Sequence, residues 1–226
     1  MSKKAEYEKL TVAPNCPASL MKALNIIDRS LWKVMLKSPG IQTNKQLENA
    51  CLLMSLTTRD FMIGAGFSAE VVPCCLHVVA LTPPDTVHHS LGVGFPHGDP
   101  NRHHLHMVVR ITAESIAAKE AKTEPGADWM VDTTLIQARR PQWPKLPSMV
   151  ALPIIPEYVP PALRRYGEHK GMTSFALAAA AGGNARTYVT WLDNPTNDTW
   201  IGAPDTRPER RDRSVHKLLV EWRNSK

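Results

Sequence analysis

Asn49-Ala50-Cys51-Leu52-Leu53-Met54-Ser55-Leu56, continuing through Thr57-Thr58-Arg59-Asp60-Phe61-Met62-Ile63-Gly64-Ala65-Gly66-Phe67, decides how the rest of the chain is read. Leu52, Leu53, Leu56, Phe61 and Ile63, with Met54 and Met62, make one broad helical face rather than a strand's alternation. Gly64 and Gly66 then stop the helix. This puts Cys51 in the first turn, where unpaired backbone N–H groups favour negative charge, and the thiolate is the form of cysteine that attacks carbonyls. Cys51 is therefore a candidate nucleophile. A free cysteine taken alone is more often a small buried hydrophobe, so the neighbours must decide.

Size and charge bound the choices. At 226 residues the chain suits one domain with a substantial core. We divide it into an N-terminal helical part (1–40), a catalytic core (41–140), and a sheet completion with a C-terminal helix (141–226). A net charge of +6, from 27 basic and 21 acidic residues, is too modest to imply nucleic acid. The basic run Arg207-Pro208-Glu209-Arg210-Arg211-Asp212-Arg213 is interrupted by acids and reads as a solvated linker. Four cysteines, at 16, 51, 74 and 75, lack the density of a secreted disulfide framework, which favours a reducing cytoplasm. The polar start MSKKAEYEKL has no apolar run after it, and no later run reaches the roughly 20 apolar residues of a membrane span.

Upstream of the cysteine helix, IQTNKQLENA offers Thr43 or Asn44 as a cap. Gln46 is a candidate amide donor to a developing oxyanion, although a solvent-facing glutamine is the commoner explanation. Before it, residues 18–38 repeat apolar positions at helical spacing, with Leu20, Leu24, Ile27, Leu31 and Met35 as the buried stripe. The residues before Pro14 and Pro17 read as frayed.

Downstream, AEVVPCCLHVVAL reads as a strand with a bulge or an edge at Pro73, and Cys74 and Cys75 point to opposite faces of it. DTVHHSLGVGFPHGDPNR reads as a long loop without a phosphate-binding glycine pattern. His104 to Ile111 alternates as a strand, with His104, His106 and Val108 on one face. A polar excursion, partly helical at SIAAKEAK, precedes the short strand Trp129-Met130-Val131-Asp132-Thr133-Thr134. The remainder is proline-laced, with a strand at SMVALPII, a short helix or buried strand at MTSFALAAAAGGN, a hairpin turning at Asp193-Asn194-Pro195, and a closing amphipathic helix at SVHKLLVEWRN.

A cysteine at a helix start, a histidine opening a strand and an aspartate ending the next strand let a sheet set an imidazole beside a thiol, with Asp132 orienting His106. In that chain order, over about Gln46 to Gln137, the layout resembles the papain-like superfamily, in its transglutaminase-like and arylamine N-acetyltransferase branches. Trp129 before the aspartate is similar to the transglutaminase pattern. The resemblance implies an α+β fold, with N-terminal helices packed on an antiparallel sheet, and a catalytic triad of Cys51, His106 and Asp132, with His104 as the alternative base. Gln46, Asn49, His104 and Trp129 become candidate binding residues. The implied activity is that of a thiol-dependent hydrolase or acyltransferase on an amide, peptide or thioester bond, with no cofactor and no membrane or nucleic-acid partner. Two readings compete. One is a metal protein using His88, His89, His97, His103, His104 and His106, since imidazoles suit zinc, copper or nickel. The other is a non-catalytic binding member of the same fold, with Cys51 inert.

Overall fold

The helical spacing between Leu20 and Met35 is realised over its whole length. In the computed structural model, which describes residues 10–43, 46, 50–82, 86–94, 106–141, 143, 146–155, 171–177, 186–193, 198 and 200–225, helix α1 spans Ala18–Met35. Leu20, Leu24, Ile27, Leu31 and Met35 are fully buried, each contributing about 1.5–3 kcal/mol by leaving water. The first turn of α1 holds no acid of its own. Glu120, distant in sequence, accepts hydrogen bonds there from Ser19 N at 3.1 Å and Ser19 Oγ at 3.2 Å, satisfying an orphan donor and complementing the helix dipole.

Helix α2 (Cys51–Gly64) begins at the cysteine itself, and its N-cap, Ala50, brings no side-chain cap. It ends where Gly66 adopts φ +87, and Gly66 N and Phe67 N donate to Ile63 O and Met62 O at 2.8 and 3.0 Å. Only glycine enters that left-handed turn without a Cβ penalty.

Among the described residues eight strands form one sheet: β1 (Leu10–Val12), β2 (Ala69–Thr82), β3 (Thr86–Val93), β4 (His106–Ile111), β5 (Trp129–Asp132), β6 (Met149–Pro153), β7 (Gly171–Leu177) and β8 (Arg186–Asp193). Seven of them run in the order β1-β6-β5-β4-β2-β8-β7, and β3 pairs with β2 off this path. The long β2 uses its first half, Ala69 to Cys74, against β4 and its second half, Leu76 to Thr82, against β3. Helices α3 (Ala113–Lys119) and α4 (Asp212–Asn224) complete the regular elements.

The sheet separates two apolar layers. On one face α1, α2 and α4 cover Val109, Ile111, Val131, Met149 and Ala151. On the other, a 3-10 helix at Leu135–Ala138 joins Trp143 and Leu146 over Leu76, Val108, Met130 and Val150. The alternation along β4 follows from this: Val108 faces one layer, Val109 and Ile111 the other. The architecture is therefore α+β, as the sequence implies.

Several expectations are corrected. The sheet is mixed rather than antiparallel, because β1 pairs parallel with β6 through Leu10↔Met149. The residues before Pro14 include that edge strand, secured by Leu10 N donating to Asp28 Oδ1, where charge and proline content suggested only fraying. Residues 86–93, read as loop for their glycines and histidines, pair with β2 as β3. Pro73 continues the β2–β4 ladder opposite Met107, and β8 begins pairing only at Cys74, so proline occupies an edge and causes no bulge. Of the two readings of MTSFALAAAAGGN, its described part is strand β7. Strand β8 pairs with β7 and β2 instead of opening a hairpin at Asp193. The charged stretch 207–213 is not wholly solvated: Arg211 is buried and donates to Asp60 and to Thr206 O.

Candidate active site

His106 opens β4 opposite Cys74 of β2, and Asp132 ends β5 opposite Val150 of β6. Because β4 and β5 pair through Val109↔Val131, His106 and Asp132 fall on the same face, one diagonal step apart. His106 Nε2 lies 2.7 Å from Asp132 Oδ2, and both side chains have no exposed surface. Asp132 has two further donors. Trp191 Nε1 of β8 reaches the same oxygen at 2.9 Å, and Thr134 N meets Oδ1 at 2.8 Å. The turn hydrogen bond typical of Asp before Thr-Thr is thus present together with the imidazole contact.

The carboxylate accepts, so His106 Nε2 carries the proton. Its other nitrogen, Nδ1, is buried and has no hydrogen-bond partner among the described residues. A neutral imidazole in that tautomer offers Nδ1 as a lone-pair base.

Cys51, at the start of α2, is half-buried. Its sulfur receives the side-chain hydrogen bond of Gln137 and backbone bonds from Leu52 and Met107, the residue after His106, and it feels the charge of Asp132. Burial dominates the balance and Asp132 adds to it, so the thiol is pushed from its ordinary 9.0 up to about 11 despite the three opposing hydrogen bonds. Cys51 is therefore a neutral thiol in the resting protein near pH 7. The surface beside it is apolar: Leu52, Leu56 and Met107 form a buried cluster, with Val71, Trp200 and Ala203 packed half-buried against it.

The raised thiol has a consequence in alkali. The unfolded chain loses the Cys51 proton near pH 9 and the folded chain only near 11. Folding therefore retains a proton in that window, and stability falls as pH rises through it. Cys16, pushed to about 12 by burial and by Glu120, acts in the same direction. Denaturant midpoints measured from pH 8 to 11 should fall in the wild type and fall less steeply in Cys51→Ser.

Gly94 packs closely against the backbone of Cys74 and His106. It has φ +85, and a Cβ there would stand 2.8 Å from Cys74 O and 2.9 Å from His106 N. Gly94→Ala is expected to cost roughly 2–4 kcal/mol in chemical denaturation, combining left-handed strain with a backbone clash. The clash falls on the first residue of β4, His106.

The structure thus puts His106 on Asp132, whose charge also reaches the Cys51 thiol. Other sequence candidates fare differently. Gln46 is exposed, and it completes a capping box with Thr43: Gln46 Oε1 accepts from Thr43 N at 3.1 Å, and Thr43 Oγ1 accepts from Gln46 N at 3.2 Å. That explains the residue without an oxyanion role. Trp129 alternates away from Asp132 into the helix-side core, 4% exposed, on the opposite face of the sheet from that carboxylate. It lines instead a cavity of about 360 Å³ with Pro14, Pro17, Ile116 and Lys122. Asn49 and His104 lie outside the described residues, as do His97 and His103. Of the proposed metal-binding histidines, His106 is held by Asp132, and His89 meets Trp143 edge-on at 6.4 Å between ring centroids. No group of three or more potential metal ligands occurs among the described residues.

Two residues were not singled out by the sequence. Trp191 sits in an ordinary strand pattern, and only the sheet order carries its indole over β2 and β4 to Asp132. Gln137 lies five residues after Asp132 on an irregular segment, where no periodicity points to it. No protein-family model, curated protein or solved structure matches the chain.

Proposed function

We propose that this chain is a cysteine-dependent acyl-transfer enzyme that cleaves an amide, peptide or thioester bond through Cys51, His106 and Asp132. The observation carrying this reading is the buried His106 Nε2–Asp132 Oδ2 contact of 2.7 Å, which leaves Nδ1 without a partner among the described residues, together with a cysteine at a helix start whose thiol feels the charge of the same Asp132.

The chemistry follows from the protonation states. With the thiol neutral at rest, its proton passes to His106 Nδ1 as sulfur attacks the carbonyl carbon, and the carbonyl π pair moves to oxygen. Asp132 steadies the imidazolium. Backbone N–H groups at the uncapped front of α2 face the developing oxyanion. Collapse of the adduct expels the leaving group, which takes the proton from Nδ1, and an acyl thioester remains on Cys51. Water then regenerates the thiol, or an amine takes the acyl group. We favour hydrolysis of an amide or peptide bond.

The reading places the protein in a reducing compartment such as the cytoplasm, in keeping with its four free cysteines. No helix among the described residues is long and apolar enough to cross a membrane.

The test is a panel of amide, peptide and thioester substrates, with and without an added amine, comparing wild type with Cys51→Ala. Turnover that disappears in the variant supports the proposal, and the product, free acid or new amide, decides between hydrolysis and transfer. Turnover that survives in Cys51→Ala contradicts it. A Cys51 that no acyl donor modifies would instead favour the non-catalytic binding reading.

A further inference from the structure

The carboxylate oxygen that holds the histidine is shared. Asp132 Oδ2 accepts from His106 Nε2 at 2.7 Å and from Trp191 Nε1 at 2.9 Å, while Oδ1 accepts from Thr134 N at 2.8 Å. The register of the sheet brings the indole there. Trp191 stands opposite Leu76 of β2, and Cys74, two positions earlier on β2, stands opposite His106 of β4. Leu76 and Cys74 alternate onto one face, and Trp191 packs on it with Leu76, Cys74, Val108 and Met130. Trp191, His106 and Asp132 have no exposed surface, so bulk water does not screen these contacts. An indole N–H donates and never accepts, which fixes the direction of the Trp191 bond.

We infer that Trp191 is a positioning residue of the base: by holding Asp132 Oδ2 from the β8 side, its indole N–H limits how strongly the carboxylate draws on the His106 proton. A carboxylate oxygen that serves one buried donor instead of two presents more of its charge to the donor that remains. Without the indole, Asp132 would pull the Nε2 proton closer and favour the imidazolium. His106 would then hold a second proton at a pH where the proposed mechanism needs Nδ1 free. With the indole in place, the carboxylate fixes the tautomer and steadies the imidazolium when it forms, without favouring it beforehand. The other titratable groups around His106 do not interfere. Cys74 stands opposite it, and burial, reinforced by Asp132, holds that thiol well above its ordinary 9.0. Cys51 of α2 rests near 11. Both thiols are therefore neutral where an imidazole titrates. Asp193 of β8, opposite Cys74, is common to wild type and variants, and Arg139, at the exit of the 3-10 helix, is turned to Leu146 O and Ser148 Oγ.

The catalytic meaning of this inference rests on His106 being the base, but its test reads the imidazole and needs no substrate. Two variants remove the N–H. One is Trp191→Phe. In the other, benzothienylalanine, whose ring carries sulfur in place of the indole N–H, is incorporated at position 191, which keeps the bulk of this fully buried side chain. His106 is followed by NMR in protein labelled at the histidine rings, through a ring carbon-bound proton from about pH 4 to 10 and through its Nε2 proton at low field, with His106→Gln giving the assignment. In both variants the His106 midpoint should rise by about half to one pH unit, part of the effect of a lost hydrogen bond to a charged group, and the Nε2 proton should move downfield. Below the wild-type midpoint, nitrophenyl acetate turnover should fall about three- to tenfold, following the free base. An indole that served packing alone would change stability and leave the midpoint and the Nε2 proton unmoved. A midpoint and Nε2 proton equal to wild type in the benzothiophene variant overturn the inference, as does a midpoint that falls. The two proposals fail separately. If the midpoint rises while Cys51→Ala leaves turnover intact, Trp191 positions His106 and the catalytic reading fails. If turnover requires Cys51 and the midpoint is unmoved, the catalytic reading stands and this inference fails.

Discussion

Asp132→Ala is expected to destabilise the fold by about 3–5 kcal/mol, read from urea or guanidinium midpoints, because it strands several buried donors at once. His106 Nε2, Trp191 Nε1 and Thr134 N all end on this carboxylate, and His106 and Trp191 have no exposed surface to regain water. Asp132→Asn should cost less, and its pattern is informative. Two donors meet Oδ2 and one meets Oδ1. The single amide oxygen is therefore drawn to the Oδ2 position, leaving the NH2 against Thr134 N. His106 then keeps its tautomer but loses the charge that steadies its imidazolium. Asp132→Asn should accordingly retain most of the stability and little of the reactivity, whereas Asp132→Ala should lose both. Equal stability in wild type and Asp132→Ala would mean that the carboxylate is not the hub joining β4, β5 and β8.

The second large effect concerns rate. His106→Ala should slow acylation of Cys51 by about a hundred- to ten-thousand-fold, the range for removing a positioned general base. On the proposed mechanism the thiol needs that base, because it rests near 11 and spontaneous thiolate is scarce at pH 7.5. In His106→Ala the residual rate should climb about tenfold per pH unit toward 11, following thiolate alone. Since alanine also leaves a cavity beside Asp132, His106→Gln is the companion variant: its amide can still donate to Asp132 but cannot accept the thiol proton. Both variants should lose the rate, with His106→Gln closer to wild type in stability. Stopped-flow release of nitrophenol from an activated ester, with Cys51→Ala as the blank, measures both.

Much of this arrangement is legible in the sequence where one local period governs. The stripe from Leu20 to Met35, the alternation from His106 to Ile111 and the position of Cys51 at a helix start all follow from side-chain spacing, and all appear in the structure. That spacing places His106 and Asp132 in contact, whereas Gln46 pairs with Thr43 and Trp129 joins the helix-side core. What was missed depends on pairing between distant segments. Strand β1 has only three residues, and its partner β6 lies far along the chain. Strand β3 hides its pairing under glycines and histidines that resemble a loop. Trp191 and Gln137 reach the site only because the sheet order and a 3-10 turn carry them there. Trp129 shows the converse. Its closeness to Asp132 in sequence suggested a site residue, yet three positions along a strand reverse the face and move it roughly 10 Å.

The most direct measurement of the central claim is where an acyl group lands. Native protein is exposed briefly to an activated thioester or nitrophenyl ester at pH 7.5, quenched in acid and mapped by peptide mass spectrometry across Cys16, Cys51, Cys74 and Cys75. The account predicts a single acylated sulfur, Cys51, with the label lost in His106→Gln. Label absent from Cys51, or present there equally in wild type and His106→Gln, would contradict it.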